Sequence, residues 1–198
     1  AVTYTPIPDR IVAGTFMCAA AMTAGEIEIE NVETTHLRIV MEKLREMGVV
    51  FETLTNGNIL VKGPERLKSI DITTTPYPGF PTDLQPLIMA CMSLAKGVSL
   101  IRETVFENRF IHAAELNRMG ACIQVAGDKA VVAGVKTLTG APVMASDLRA
   151  GASLVLAGLA AKGTTIVDRV YHIDRGYGNF ESRLTALGAD IKRGADSD

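Results

Sequence analysis

The sequence lacks a dominant charge: 20 Lys and Arg stand against 22 Asp and Glu in 198 residues, a formal net charge of −2. Without a basic excess there is no electrostatic support for a nucleic-acid partner. Cysteine is scarce, and the three present show no CxxC or other metal-ligand spacing. Cys18 and Cys91 lie in runs rich in Ala and Met, and Cys122 follows Gly120 and Ala121. All three are expected to be buried free thiols of a cytoplasmic chain. Long apolar runs are absent too. The stretch from Ala150 to Ala161 is too short to span a bilayer. The opening, Tyr4 to Pro8, is neither basic nor a long apolar run, so neither a signal peptide nor a membrane partner is expected. There is no P-loop and no serine nucleophile elbow. Gly176-Tyr177-Gly178 lacks the third glycine and the strand-turn-helix setting of a dinucleotide fingerprint. His36, His112 and His172 have no ligand spacing and are expected to be structural or surface residues.

What is present is a threefold repetition, of a period longer than the common solenoid repeats. Each unit opens with an Asp before an apolar helix rich in small residues: Asp9 to Met22, Asp83 to Leu94, Asp147 to Leu159. Each helix is followed by a Gly that suits a left-handed cap: Gly25, Gly97, Gly163. A β-rich run follows in each, Glu26 to Glu30, Val98 to Arg102 and Thr164 to Asp168, of which the first alternates strictly. An amphipathic helix then ends at a second Gly: Gly48, Gly120, Gly188. Strands are expected at Val49 to Thr53, Ala121 to Val125 and Ala189 to Lys192, with hairpin partners at Asn58 to Lys62 and Ala130 to Ala133. Asn56-Gly57 and Gly127-Asp128 supply the turns. The first helix of each unit is apolar on all sides and should be buried, with Met89 and Met92 in the core. The 47% hydrophobic content is enough for a sizeable core. The pattern predicts one α/β domain over residues 1–198, with units of about 1–70, 71–137 and 138–193 and a frayed tail at 194–198. Aligned helix N-termini would collect three carboxylates and three positive dipole ends at one rim, where an anion could bind.

Differences among the units mark candidate functional residues. Arg109 and Arg175 both lie 12 residues beyond their capping Gly, and the first unit has no Arg there. A guanidinium grips carboxylate or phosphate with two parallel hydrogen bonds; the plainer alternative is a surface ion pair or a loop brace. Tyr77-Pro-Gly-Phe-Pro-Thr-Asp83 delivers an Asp to a helix start. It is either an N-cap, the commonest role for Asp there, or a carboxylate base held at the domain edge. Asp9 and Asp147 carry the same two alternatives.

Four motifs add a family resemblance: Tyr77-Pro-Gly-Phe-Pro-Thr-Asp-Leu-Gln85, Thr104-Val-Phe-Glu-Asn-Arg-Phe110, Val143-Met-Ala-Ser-Asp-Leu-Arg-Ala150 and Val167-Asp-Arg-Val-Tyr-His-Ile-Asp-Arg-Gly-Tyr177. Together with Pro8-Asp-Arg-Ile11 and Gly14-Thr-Phe16 they resemble, in order, the second half of the UDP-N-acetylglucosamine 1-carboxyvinyltransferases of the enolpyruvyl transferase family. The resemblance implies an inside-out α/β barrel of three β/α units with buried apolar helices. It implies transfer of enolpyruvate from phosphoenolpyruvate to the 3-hydroxyl of UDP-N-acetylglucosamine, the first committed step of peptidoglycan synthesis, with no metal or organic cofactor. By motif, Asp83 resembles the residue that binds the sugar and takes its hydroxyl proton, and Val105 one that contacts the UDP-sugar. Arg109 and Arg175 resemble a clamp on the anionic enolpyruvyl group, and Asp147 and Arg149 resemble residues that align the intermediate.

The family's Lys-Asn pair, its loop with a reactive Cys and most nucleotide contacts have no counterpart here, and none of Cys18, Cys91 or Cys122 stands in that loop's context. The chain therefore reads as part of an enzyme that needs a first-half domain as partner and is inactive alone. Two alternatives stay open: half of a shikimate-phosphate-type enolpyruvyl transferase, and a non-catalytic domain that binds a ligand or partner.

Overall fold

Asp9 stands in extended backbone and accepts hydrogen bonds from the Ile11 and Val12 amides at 2.7 and 3.2 Å, opening helix α1 (Arg10–Thr23). Asp147 opens helix α5 (Leu148–Ala160) in the same way, accepting from the Arg149 and Ala150 amides at 2.9 Å each. Both side chains satisfy donors that a helix start leaves orphaned. The structure, a computed structural model, describes residues 2–194.

Helix α3 (Gln85–Ser93) begins differently. Its cap position is Leu84, which makes no side-chain bond, and Asp83 lies in a preceding turn of 3-10 helix, Thr82–Leu84. Pro86 in the first helical turn has no N–H to offer a capping oxygen. The N-cap alternative for Asp83 is thereby corrected: the helix starts two residues later, and the carboxylate is free for other partners.

Helices α1, α3 and α5 are apolar on all sides and pack against one another. Met17, Leu87, Met89, Met92, Leu154 and Leu156 have no exposed surface. A Cβ on Gly14 would come within 2.6 Å of Leu84 Cδ1, so the glycine lets fully buried Leu84 dock on α1 and seats the turn that carries Asp83.

Among the described residues three sheets accompany the helices. In the first, β1 (Glu26–Ile29) and β2 (Val50–Thr53) flank β3 (Ile59–Lys62), all antiparallel, with Ile27 and Phe51 opposite Val61. In the second, β4 (Ile72–Thr73) lies parallel to β5 (Val98–Arg102), which pairs antiparallel with β7 (Lys129–Ala133). The hairpin partner of β7 is β6 (Cys122–Ala126). The third sheet has two parallel strands, β8 (Pro142–Met144) and β9 (Ile166–Asp168). Amphipathic helices α2 (Arg38–Glu46), α4 (His112–Arg118) and α7 (Phe180–Ala186) follow the first strands, and a single turn, α6 (Tyr171–Asp174), precedes α7. Gly48, Gly120 and Gly188 end the three longer helices at φ of +103, +89 and +95°. The next residue's amide reaches back to Leu44, Leu116 and Leu184 respectively, as in a Schellman cap.

Four expectations need correction. The left-handed residue after α1 is Ala24 at φ 51°, not Gly25; Gly97 and Gly163 are left-handed but lie beyond the cap positions of α3 and α5. No strand forms over Ala189 to Lys192, because no partner strand lies beside it among the described residues. Cys122 is exposed, on the outward phase of β6 opposite Ala133, whereas Cys18 and Cys91 are buried free thiols. Strands β4 and β8 were not foreseen, being two and three residues long and too short to show a period. Of the expected frayed tail, residues 195–198 lie outside the described residues. Among the described residues no helix is long and apolar enough to cross a membrane.

Candidate active site

The turn before α3 and the loop after β5 bring Asp83 to Arg109, and the first turn of α5 brings Arg149 to the same carboxylate. Arg109 Nη2 lies 3.3 Å from Asp83 Oδ1, and Arg149 Nη2 lies 3.5 Å from Oδ2. Both separations exceed the usual length of a charge-assisted hydrogen bond, so the carboxylate is flanked rather than clamped. The two guanidiniums are the more buried partners, their side chains 18% and 11% exposed against 42% for Asp83. Arg109 Nε and Arg149 Nε and Nη1 are buried without a hydrogen-bond partner among the described residues. An acid at the surface thus sits before two partly unsatisfied cationic forks, an arrangement that suits an anion beside a group giving up a proton.

Each guanidinium rests on an aromatic ring. Arg109 Cζ is 5.3 Å from the centre of Phe106, and Arg149 Cζ is 5.2 Å from that of Tyr177. Tyr177 is 1% exposed, and its hydroxyl meets Thr15 Oγ1 of α1 at 2.8 Å. Burial raises the Tyr177 pKa, which keeps the phenol neutral.

Asp147 lies two residues before Arg149 and spends Oδ1 on capping α5. His112 is buried at the start of α4, within electrostatic reach of Asp147 and Arg109, and burial lowers its pKa to about 4. The imidazole is therefore neutral near neutral pH. Val105 is 39% exposed, with its amide bound to Glu103 Oε1 at 2.9 Å. Arg175 is exposed and makes no ion pair among the described residues. Its neighbour Gly176 packs on Leu148 and Arg149, so Arg175 stands beside the site without joining the Asp83 cluster. The pair with Asp83 is Arg109 and Arg149, where the repeat comparison alone pointed to Arg109 and Arg175. No group of three or more metal-ligating side chains occurs among the described residues.

Glu103, Phe106, Thr15 and Tyr177 were not singled out in the sequence. A usable signal existed for Glu103, a charged residue on the inward phase of a strand. None existed for the Thr15–Tyr177 contact.

The EPSP synthase (3-phosphoshikimate 1-carboxyvinyltransferase) family model matches residues 1–184. Among curated proteins, the chain is 56% identical over 193 residues to the UDP-N-acetylglucosamine 1-carboxyvinyltransferase of Desulfosudis oleivorans, covering 97% of this chain and 46% of that protein. It is 58% identical over 190 residues to UDP-N-acetylglucosamine 1-carboxyvinyltransferase 1 of Caldanaerobacter subterraneus subsp. tengcongensis, covering 96% and 46%. Among solved structures it resembles the enolpyruvyl transferase NikO from Streptomyces tendae, with a TM-score of 0.84 at 30% identity over 96% of this chain and 45% of that one. The EPSP synthase from Acinetobacter baumannii shares the fold, with a TM-score of 0.71 at 22% identity over 96% and 45%. The chain spans about half the length of the curated relatives it matches.

Proposed function

The chain belongs to the EPSP synthase (3-phosphoshikimate 1-carboxyvinyltransferase) family, and from that premise we propose that it forms part of an enzyme that transfers enolpyruvate from phosphoenolpyruvate to the 3-hydroxyl of UDP-N-acetylglucosamine. The observation that carries the reading is the Asp83 carboxylate set between the guanidiniums of Arg109 and Arg149. Asp83 accepts the proton of the attacking sugar hydroxyl while that oxygen bonds to the enolpyruvyl carbon. The guanidiniums hold the carboxylate and phosphate of phosphoenolpyruvate; the bond from that same carbon to the bridging oxygen breaks, and phosphate leaves with the oxygen. Arg175, exposed beside Arg149, closes on the same anion when substrate is present. Asp147 orders the start of α5 and so aims Arg149.

We read the fold as an inside-out α/β barrel of three units, a view supported by the mutual packing of α1, α3 and α5 and by the three separate sheets. A first-half domain closes the site from the other side and supplies the nucleotide contacts, consistent with the share of each relative that this chain covers. The sugar nucleotide is favoured over shikimate phosphate by the identity to the two curated relatives, against 22% to the Acinetobacter enzyme. No membrane or nucleic acid enters this reading, which places the action in the cytoplasm.

The test joins this chain to the first-half domain of a relative and measures phosphate release from phosphoenolpyruvate with each acceptor. Release with UDP-N-acetylglucosamine and none with shikimate 3-phosphate is expected. The reverse preference, or no release with either, overturns the reading.

A further inference from the structure

The burial alternation of β5 continues one residue past the strand. Ser99 and Ile101 point inward, and so does Glu103, which is 4% exposed. A carboxylate in that position needs donors, and four are supplied. Oε1 accepts from the Thr74 hydroxyl at 2.6 Å, the Val105 amide at 2.9 Å and the Phe106 amide at 3.1 Å, and Oε2 accepts from the Thr82 hydroxyl at 3.0 Å. Among the described residues no Lys or Arg pairs with it. A buried charge held only by dipolar donors is costly to keep where an apolar side chain would fill the same space.

The donors belong to the two segments that meet at Asp83. Thr82 is the residue before Asp83 in the 3-10 turn. Val105 and Phe106 begin the loop that ends in Arg109, and the Phe106 ring supports the Arg109 guanidinium. Thr74, next after β4, holds Thr104, the residue before that loop: its hydroxyl accepts from the Thr104 amide at 3.0 Å and its carbonyl from the Thr104 hydroxyl at 2.5 Å.

We propose that Glu103 is a positioning residue for the transfer reaction: one buried carboxylate fastens both the turn bearing Asp83 and the loop bearing Val105 and Arg109, and so sets the distance between proton acceptor and anion clamp. The proposal rests on the roles given above to Asp83 and Arg109. An error of about 1 Å in such a spacing costs on the order of 10²-fold in rate.

Two readouts separate the proposal from that reading. The first is steady-state turnover of the complete two-domain enzyme carrying Glu103→Ala, Glu103→Gln or Thr82→Val. Gln keeps Oε1 for the two amides and turns an NH2 toward the Thr82 hydroxyl, which can accept; Ala keeps nothing. Glu103→Ala is expected to lower kcat at saturating substrate by about 10²-fold, and Glu103→Gln to recover to within about tenfold of the parent. Thr82→Val, which spares the core, is expected to lose about tenfold and covers the case in which Glu103→Ala does not fold. The second readout is amide hydrogen exchange in this chain, where the Val105 and Phe106 amides should lose protection in Glu103→Ala while those of α5 keep it. A folded Glu103→Ala or Thr82→Val enzyme with the parent's kcat, or Glu103→Gln as impaired as Glu103→Ala, overturns the proposal. If the parent enzyme transfers nothing to UDP-N-acetylglucosamine, the functional reading has failed; exchange then decides the positioning alone, and unchanged protection at Val105 and Phe106 sinks it.

Discussion

Thr15 and Tyr177 stand 162 residues apart in the chain and share a buried hydrogen bond of 2.8 Å. Thr15 Oγ1 also donates to the Ile11 carbonyl at 2.8 Å. The single proton of a threonine hydroxyl is committed there, so Tyr177 is the donor. The bond joins α1 to the ring on which Arg149 lies. Tyr177→Phe should therefore cost about 1 kcal/mol, and Thr15→Val, which strands a buried phenol, about 1–3 kcal/mol. The double variant should lose less than the sum of the two by about 0.5 kcal/mol or more. Chemical denaturation of the four proteins measures this, and additive losses would show that the two hydroxyls do not depend on each other.

Asp147 has two duties that substitution can separate. Asn caps a helix as well as Asp does, so Asp147→Asn should leave stability within about 0.5 kcal/mol of the parent while removing the charge beside the site. Asp147→Ala loses the cap of α5 as well and should cost about 1 kcal/mol. If Asp147 aims Arg149 only through the cap, Asp147→Asn turns over like the parent in the complete enzyme and Asp147→Ala does not. A loss in both variants assigns a direct role to the carboxylate.

The apolar helices and their flanking strands were legible because period and composition agree there, as in Ile27 to Ile29 of β1 and the Ala-rich face of α1. For Asp9 and Asp147 the cap, one of the two alternatives the sequence left open, is the one their amide contacts bear out. Asp83 shows where that reasoning stops: the same residue type at the same place in the pattern is no cap, because Pro86 removes one of the two donors such a cap meets and the Gln85 amide turns to the Thr82 carbonyl. The exposed Cys122 shows a second limit, since a strand's outward phase outweighs the apolar character of a single residue. The pairing of Arg149 with Asp83 was not readable from the repeats. It depends on how α5 is set against the turn before α3, and the contact spans two units with no local signature.

His112 makes stability depend on pH. Its folded-state pKa of about 4 lies below the ordinary 6.5, because burial disfavours the imidazolium. Above pH 6.5 both folded and unfolded chains carry neutral His112, and its contribution is fully present. Between 6.5 and 4 the unfolded chain binds a proton that the folded chain refuses, so stability falls as pH falls, by up to about 3 kcal/mol. Asp147 favours the charged form and Arg109 opposes it, so neither reverses the sign set by burial. Denaturation midpoints of the parent and of His112→Gln between pH 4 and 7 test this. The parent should lose stability more steeply toward acid, and parallel profiles would show that His112 does not titrate below its ordinary range.

Asp83 is the one helix-opening Asp whose removal should spare the fold and stop the chemistry. It caps nothing, and its ion pairs are loose and half-exposed, so Asp83→Ala should change stability by less than about 1 kcal/mol. Asp9→Ala, which uncaps α1, should cost about 1 kcal/mol. In the complete enzyme Asp83→Ala should lose between about 10² and 10⁴-fold in turnover, the range a general base supplies. Anion binding should move the other way. With the carboxylate gone, the cationic forks of Arg109 and Arg149 face an incoming anion without competition, so Asp83→Asn should bind inorganic phosphate at least as tightly as the parent. Calorimetric titration with phosphate, run beside the turnover assay, separates the two roles. Weaker phosphate binding in the variant would mean that Asp83 is needed to hold the guanidiniums in place, and its part in the reaction would then be structural rather than as the proton acceptor.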